Sequence, residues 1–590
     1  MHLAETQLVA PGRRARSAVS AAPEAPAQWH RVLTLLADIS LFIGARSVWT
    51  QGASHRLPVA AVVSLCYVSI LVSGVLALVV RRTRSLARLD LCVLATAITL
   101  ALCTWLMNHG GSDEALLSTQ AARSLVAGHP VYGQSWPWLF GHGVGLTPTM
   151  SGGYDLTYGY PPLVPLLTAP LLWLGHGAIP ATAVGTGALL VGTVVLWRML
   201  PVPWRSAATM ACLGFGFLPM YARLGYPAIT ALALLIPVVV RWPRIGRGGR
   251  LGAAGIARAV CLGAACAAQQ LPWFLAPFLL AGVYAVRRGE LGGRVAGLLV
   301  LRITGIVATV WLLINTYFIV SEPGTWIRGV ALPLTQGATL HGQGLVDISL
   351  YFTAGSDRLD WYGHASVLLA AGLLVLMVLF MRRLGPAATV LPWCAFYLAT
   401  RSQDGYYLLM TPLWLAAAVT APPAEFEGAW QPRPRPLSGP HRRTALGAAA
   451  VLALVPALLS AVLAVSGSAP LQMRVAAVGR AAAHGIRANV LTRLTLRVTN
   501  RDGTALTPHY MLTMSQGSST YWSVVTGPAT IPAHRTERVE IRPAAGKFTL
   551  STKPSARIRL RAFTAGPQTL SSVYVHLVDR GAVAQAHNGD

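Results

Sequence analysis

Acidic residues are scarce in this 590-residue chain, which has 20 Asp and Glu against 47 Lys and Arg. Lysine is rarer still: only Lys547 and Lys553 occur, so almost all of the positive charge is arginine. Charged residues make up 11% of the chain and apolar residues 54%. This composition excludes an ordinary soluble globule and predicts a helical protein that crosses a membrane many times.

Other absences narrow the function. The seven cysteines all fall in apolar stretches, so the sequence offers neither a disulfide framework nor a zinc-ligand spacing. It has no GxxxxGK[ST] motif for nucleotide phosphates and no combined aromatic and basic groove motif for nucleic acid. The net charge of +27 is better explained by the positive-inside rule, because the arginine clusters lie between apolar spans. A nucleic-acid partner is therefore not expected.

Three regions follow from these patterns. Residues 1–30 are rich in Ala and Pro and lack a signal-peptide pattern, which predicts a disordered cytoplasmic tail. Residues 31–466 are predicted to form a transmembrane domain of about thirteen spans, with outer loops at 109–160 and 321–365. Residues 471–590 are predicted to form an Ig-like β-sandwich on the outer side. We expect a multi-pass plasma-membrane protein.

The spans alternate with arginine clusters. The cluster at 81–88 is predicted to be cytoplasmic, so the next span leads outward to loop 109–160. The proline-rich piece 161–174 is expected to dip into the membrane and return, and 259–286 to break into two half-spans at Gln269 and Gln270. The other predicted spans are 32–49, 58–80, 91–107, 183–197, 207–220, 228–240, 296–320, 367–380, 387–400, 406–418 and 446–465.

The C-terminal region alternates apolar and polar residues in several short runs, for example at 494–498 and 558–562, with turn signals between them. From Leu471 to Asp590 it has fifteen Arg and Lys against five Asp and Glu, and no cysteine. It is predicted to be a binding or positioning module. Tyr521 and Trp522 could stack on a sugar, although a core Trp is the commoner role in a sandwich.

Asp113 and Glu114 stand side by side where the third span ends. Carboxylates are costly at that place unless they have a role, such as a general base and a group that orients it. The alternative is structural: Ser112 and Asp113 can begin a helix, where carboxylates are favoured anyway. That helix is expected to stop at Gly128, His129 and Pro130.

The surrounding motifs show a family resemblance. The span is followed by the Asp-Glu pair, by AxxLxxGxxxY from Ala122 to Tyr132, and by YPPL from Tyr160 to Leu163. This order resembles the polyprenol-phosphate-sugar-dependent glycosyltransferases of the GT-C superfold, and most of all their bacterial, actinobacterial mannosyltransferase-like branch. The resemblance covers residues 91 to 420. It implies that an acidic residue of the first outer loop, here Asp113 with Glu114 beside it, is the catalytic base.

The resemblance and the predicted sidedness select further candidates. Cations on the outer side could bind the donor phosphate, and polar or aromatic residues could bind the substrates. The first group contains Arg401, Arg223 and Arg358, and the second contains His129, Tyr132, Tyr158, Tyr160, Gln269 and Gln270. The two glutamines and Pro272 stand where the family often has a Lys near a Pro. Interfacial anchoring is the ordinary role for any one of these arginines and aromatics.

These expectations imply a membrane glycosyltransferase. It would transfer a hexose, with mannose as a candidate, from a polyprenyl-phosphate donor to an envelope glycan, lipid or protein on the outer face. No cofactor is required by the sequence, although a divalent cation would be compatible with the Asp113–Glu114 pair. Membrane lipids are the remaining expected partners. The rival functions are a transporter or flippase of envelope lipids and a non-enzymatic envelope scaffold.

Overall fold

The computed structural model describes residues 27–107, 110–140, 147–175, 179–337, 343–401, 404–432, 442–483, 486–514, 517–550 and 558–576. Most of the predicted tail and residues 577–590 therefore lie outside the described residues. The helices are α1 (Ala27–His55), α2 (Leu57–Val79), α3 (Thr83–Leu106), α4 (Asp113–Val126), α5 (Leu163–Trp173), α6 (Ala181–Met199), α7 (Arg205–Leu213), α8 (Phe217–Arg223), α9 (Pro227–Val239), α10 (Gly252–Ala268), α11 (Leu271–Leu291), α12 (Gly293–Ser321), α13 (Pro323–Thr335), α14 (Asp360–Leu379), α15 (Met381–Leu384), α16 (Leu391–Cys394), α17 (Asp404–Leu408), α18 (Thr411–Thr420) and α19 (Arg442–Ser466).

Seven helices among the described residues are long and apolar enough to cross a membrane: α1, α2, α3, α6, α12, α14 and the part of α19 from Thr444 onward. Four shorter apolar helical stretches, Leu163–Trp173, Pro227–Val239, Gly252–Ala268 and Gly405–Thr420, complete the set. The predicted membrane character is supported, but the count of about thirteen spans is not confirmed. Residues 27–30, expected in the tail, already belong to α1.

Three predicted spans are broken, one of which is 406–418, divided between α17 and α18 by a turn at 409–410. Residues 207–220 divide into α7 and α8, because Phe215 and Gly216 adopt positive φ angles of 57° and 75° between them. Helix α1 packs so closely on this break that a Cβ on Gly44 would lie 2.7 Å from the Gly216 nitrogen. The predicted span 387–400 contains only the four-residue α16 and a 3-10 turn. Gly214 and Gly216 interrupt the first stretch, and Pro392 stands in the first turn of α16.

Two other predicted irregularities are present. Helix α5 has eleven residues, or about 16 Å of helix, which is too short for a hydrocarbon core of about 30 Å. The predicted break at Gln269 and Gln270 separates α10 from α11. The dip of residues 161–174 into a membrane remains a prediction.

A buried polar cluster fastens α1, α3 and α7. Asp90 is fully buried, and its Oδ2 lies 2.7 Å from His30 Nε2. Its Oδ1 accepts hydrogen bonds from the Thr34 and Ser206 hydroxyls. Because buried polar groups must be hydrogen-bonded, this cluster fixes how the three helices pack.

The C-terminal region forms one antiparallel sheet, which also includes a short strand from loop 321–365. The strands are β1 (Gly355–Ser356), β2 (Leu471–Ala483), β3 (Ile486–Asn500), β4 (His509–Met514), β5 (Gly517–Ser518), β6 (Trp522–Thr526), β7 (Thr536–Pro543), β8 (Phe548–Thr549), β9 (Ile558–Ala565) and β10 (Gln568–Tyr574). Their order is β1-β10-β9-β4-β6-β7-β3-β2, with β5 on β4 and β8 on β3. All the described strands belong to this sheet, so the predicted division into the two sheets of a sandwich is not seen.

The alternation read from the sequence is confirmed in this sheet. Its core contains the predicted inward residues of four strands, among them Leu496, Leu512, Ile541 and Leu560. Trp522 is 3% exposed in the same core, so it is a core residue and not a sugar-stacking surface. Tyr521 is also buried, against the first outer loop.

Replacing Asp90 with Ala should destabilise the helical domain strongly, because its buried hydrogen-bond partners would lose their acceptor. Breaking such a buried arrangement typically costs about 3–5 kcal/mol. Denaturant unfolding of the purified protein in detergent measures the change. The matched control is Glu540→Gln, which breaks the exposed pair with Arg542 and should cost less than about 1 kcal/mol. Equal small effects of the two substitutions would contradict the role of the Asp90 cluster.

Candidate functional site

The candidate site is built on the first turn of α4. Ser112 is the N-cap: its side chain accepts a hydrogen bond from the Ala115 nitrogen, and Asp113 is the first helical residue. The prediction that Ser112 and Asp113 begin a helix is therefore confirmed. The Ser112 nitrogen and hydroxyl both donate to the Leu224 carbonyl, which ties this turn to the end of α8.

The sequence also places Ala115, Leu116, Ala122, Leu125 and Val126 on one apolar face of a helix that is expected to lie on the membrane. In the structure Ala115 and Ala122 are buried within the protein, whereas Val126 is 41% exposed. Ser118 and Thr119 are buried instead, because α4 packs against α5 and α6. The helix ends at Val126 and is followed by Gly128 with a φ of 70°, as the stop signal predicted.

Glu114 is the most perturbed carboxyl group of the site. Its Oε1 accepts a hydrogen bond of 2.7 Å from the Tyr160 hydroxyl. Burial and the neighbouring Asp113 raise its pKa to about 8, although Tyr160 and Arg401 act in the opposite direction. Glu114 is therefore mostly protonated at neutral pH, which limits repulsion between the two adjacent carboxyl groups.

Asp113 and Asp155 are connected through Thr147. The Thr147 hydroxyl donates to Asp113 Oδ2 at 2.8 Å, and the Asp155 nitrogen donates to the Thr147 carbonyl at 2.9 Å. Burial raises the pKa of Asp155 to about 6; Arg401 opposes the rise and Asp113 adds to it. Segment 147–157 thus brings a third carboxyl group to the site.

Arg401 is the cation that balances these carboxyl groups. Burial alone would lower its pKa, but interactions with Tyr406, Tyr160, Asp155 and Glu114 raise it above the ordinary value. Its Nε and Nη1 are buried and have no hydrogen-bond partner among the residues that the structure describes. An arginine keeps its charge when buried, so these two donors are suited to an anionic ligand.

Arg223 lies at the edge of the same region. It ends α8, next to Leu224, whose carbonyl holds Ser112. A Cβ on Gly405, four residues after Arg401, would lie 3.3 Å from the Tyr221 hydroxyl of α8. Arg223 and Arg401, two of the three predicted phosphate-binding arginines, therefore lie on neighbouring segments.

The predicted aromatic and amide residues mainly support the site. Tyr132 and Tyr158 are fully buried and donate to the carbonyls of Tyr160 and Pro161. Gln270 Nε2 donates to the carbonyls of residues 159 and 330, and Gln269 Oε1 accepts from the nitrogen of residue 271. These contacts fix the backbone that carries Tyr160. Of the six predicted substrate-binding residues, Tyr160 is the one seen to touch a site carboxyl group.

Two predicted residues lie elsewhere. His129 is exposed beyond the far end of α4, about 24 Å along the chain from Asp113 at helical rise. Arg358 follows β1 and is exposed; its Nε lies 3.9 Å from Asp357. The sequence also offers His142, His341 and His364 as weaker phosphate candidates and has Ser402, Gln403 and Asp404 after Arg401. Positions 142, 341, 402 and 403 lie outside the described residues.

Sequence reasoning missed Asp155 and Thr147. A signal for Asp155 exists, because Asp113, Glu114 and Asp155 are the three acidic residues of loop 109–160. Thr147 has no comparable signal, since its contact with Asp113 depends on how residues 147–157 fold back. The scarcity of acidic residues in loop 109–160 is therefore the sequence signal for Asp155, and no residue spacing indicates it.

No group of three or more His, Cys, Asp or Glu in the described part of the chain is arranged to hold a metal ion. Comparison of the chain with protein-family models, curated proteins and solved structures finds no match. The chemistry of the site therefore has to be argued from its own residues.

The raised pKa of Glu114 predicts a pH-dependent stability. The ordinary pKa is 4.5 and the folded value is about 8, so between these values the unfolded chain releases a proton that the folded protein keeps. Stability should then fall as pH rises through this window. In Glu114→Gln the unfolding midpoint should depend less steeply on pH between about 6.5 and about 8 than in the wild type.

Thermal unfolding in detergent across that range is the measurement. Glu427→Gln, which removes an exposed carboxylate, is the control and should follow the wild type. Parallel curves for wild type and Glu114→Gln would show that Glu114 titrates normally in the folded protein.

Proposed function

We propose that this protein is a membrane glycosyltransferase of the GT-C type that uses a polyprenyl-phosphate hexose as donor, with mannose as a candidate. One observation carries the proposal: the carboxyl groups of Asp113, Glu114 and Asp155 meet near the buried Arg401, whose Nε and Nη1 have no hydrogen-bond partner among the described residues. Sugar transfer from a lipid-linked phosphate needs both parts, a base for the acceptor hydroxyl and a cation for the departing phosphate.

The reaction would be a direct displacement at the anomeric carbon. Asp113 takes the proton of the acceptor hydroxyl, and the acceptor oxygen forms the new glycosidic bond. The bond between that carbon and the phosphate oxygen breaks, and polyprenyl phosphate leaves with both bonding electrons. Arg401 would hold the developing phosphate charge through Nε and Nη1, and Arg223, at the end of α8, would assist it.

Glu114 and Asp155 have supporting roles in this proposal. Because Glu114 is protonated, the neighbouring Asp113 is the proton acceptor. The hydrogen bond from the Tyr160 hydroxyl fixes the orientation of Glu114. Asp155 keeps Arg401 in place when no phosphate is bound. Asp113 Oδ2 already accepts from Thr147, and a carboxylate oxygen has a further lone pair for the acceptor hydroxyl.

The proposed setting is a multi-pass plasma-membrane protein with the site and the C-terminal sheet on the outer face. In this arrangement some shorter helices, including α9, α10 and α18, would complete the GT-C-type bundle beside the seven long ones. The arginines at 81–88 and in segment 241–258 would be cytoplasmic under the positive-inside rule. The acceptor would be an envelope glycan, lipid or protein.

A transporter of envelope lipids is the second candidate, because polar groups buried inside spans are common in transport pathways. Asp90 and His30 in α3 and α1 are such a pair, and Asp38 is a further buried carboxyl group that accepts from Ser73. Their hydrogen bonds to neighbouring helices also fit a purely structural role. Transport of a labelled lipid without glycosyl transfer would favour this candidate.

Asp113→Asn should reduce transfer from a polyprenyl-phosphate hexose by about 10²- to 10⁴-fold, since the amide cannot accept the proton. Arg401→Gln should reduce it by about 10²- to 10³-fold by removing the phosphate contact. Purified variants in detergent or liposomes, assayed with radiolabelled donor, give both numbers.

Arg358→Gln is the matched control for Arg401→Gln, because Arg358 is an exposed arginine beside β1. It should transfer at the wild-type rate. Full activity of both Asp113→Asn and Arg401→Gln in an active wild-type background would refute the assigned roles.

The orientation has its own test. In a cysteine-free background, Ser321→Cys and Ser523→Cys should react with an impermeant thiol reagent on intact cells, because both positions are exposed on segments assigned to the outside. Thr83→Cys, exposed at the first residue of α3, should react only after lysis. The reverse pattern would place the site in the cytoplasm and exclude an envelope acceptor.

A further inference from the structure

The C-terminal sheet is not an appendage tethered to the helices, because it shares a core with both outer loops. This core joins Met150 of the first loop, Tyr362 at the start of α14, and Tyr521, Phe563 and Leu570 of the sheet domain. Strand β1 of the second loop pairs with β10 as an edge strand of the sheet. The sheet therefore has a fixed position relative to the outer loops.

Two buried arginines reinforce this contact. Arg561 is 1% exposed and Arg559 is 8% exposed. Both donate to the Leu350 carbonyl, at 2.8 Å and 2.7 Å. The inner face of β9 packs in the sheet core while its other face holds the second outer loop, which explains why β9 is buried on both sides.

Tyr521 makes the corresponding contact with the first outer loop. Its hydroxyl donates to the Thr149 carbonyl at 2.7 Å, and its nitrogen donates to the Tyr154 hydroxyl at 2.7 Å. The two tyrosine rings lie 5.8 Å apart between centroids. His509 lies against Gly152, so closely that a Cβ there would lie 2.2 Å from His509 Nδ1. The sheet thus holds the turn 149–154 at three places.

This turn belongs to the segment that completes the candidate site. It is closed by hydrogen bonds from the Thr149 nitrogen to the Gly153 carbonyl and from the Asp155 nitrogen to the Thr147 carbonyl. Thr147 on one side of the turn contacts Asp113, and Asp155 on the other side interacts with Arg401. Moving the turn would therefore move both contacts.

We infer that Tyr521 is a positioning residue for the site: through Thr149 and Tyr154 it holds segment 147–157 so that Thr147 and Asp155 stay against Asp113 and Arg401. The inference rests on the proposed function for its consequence on catalysis. The sheet then completes the active site of the helical domain from outside the bundle. Deleting the whole sheet is a poor test, because it would also expose the shared core.

Tyr521→Phe is the sharper test, since it keeps the ring and the backbone contact and removes the hydroxyl that donates to the Thr149 carbonyl. Tyr510→Phe is the matched control: Tyr510 is buried in the same sheet, and its hydroxyl has no hydrogen-bond partner among the described residues. Gly152→Ala disturbs a second contact between the sheet and this turn, the one with His509. The added Cβ would collide with His509, and the φ of 82° is strained for alanine.

The first readout is independent of activity. In Tyr521→Phe and Gly152→Ala the amides of residues 147–157 should exchange hydrogen faster than in the wild type, while Tyr510→Phe should leave them unchanged. Exchange at the wild-type rate in Tyr521→Phe overturns the inference. Equal acceleration in Tyr510→Phe also overturns it, because the effect would then be a general weakening of the sheet.

The second readout is catalytic. Loss of one hydrogen bond should lower kcat for sugar transfer by about 2- to 10-fold. A looser segment 147–157 also admits water, so the acid limb of the pH–rate profile should move to lower pH in Tyr521→Phe. Asp155 sets this limb, because it must be ionised to hold Arg401; the side chains that face it are Arg401, Asp113 and Gln336.

If amide exchange is faster in Tyr521→Phe but its pH–rate profile is unchanged, the catalytic part of the inference is overturned. The structural part, that Tyr521 holds the segment, then stands. If the wild-type protein shows no transferase activity, the proposed function fails. The exchange result then still decides whether Tyr521 positions the segment, so the two failures can be told apart.

Discussion

The arrangement of loop 109–160 depends on the charge of Arg401. A guanidinium enclosed by protein must be balanced by nearby acceptors, and here Glu114 and Asp155 come from two different parts of one loop. This requirement brings together the start of α4, the folded-back segment 147–157 and the chain before α17.

The sequence predicted the parts of this protein that depend on local patterns. Long apolar stretches marked α2, α6, α12 and α19 to within four residues, and α3 and α14 with starts that were eight and seven residues late. Alternation marked the inward residues of the sheet. The break at Gln269 was also visible, because two amides and a proline interrupt an apolar run. These features follow from periodicity and from residues that cannot continue a helix.

Features set by long-range contacts were not predictable in the same way. The breaks at Phe215 and in residues 387–400 lie in stretches whose composition suits a membrane span. His129 and Arg358 were selected by type and sidedness, but the fold places them away from the carboxyl groups. Asp113 and Glu114 were found because their position at the end of a span was unusual. The structure also shows them as part of a helix start, so the structural and functional interpretations are compatible.

The pairing of β1 with β10 has a consequence for biogenesis. Gly355 and Ser356 pair with Ser571 and Leu570, so a loop made midway through synthesis finds its strand partner only when the last part of the chain has emerged. Such distant pairings form late, because a long stretch of chain must be closed first. If the sheet lies across the membrane from the ribosome, the outer loops cannot be complete until the C-terminal region has been translocated. The order of synthesis would then keep the site unfinished in every shortened chain.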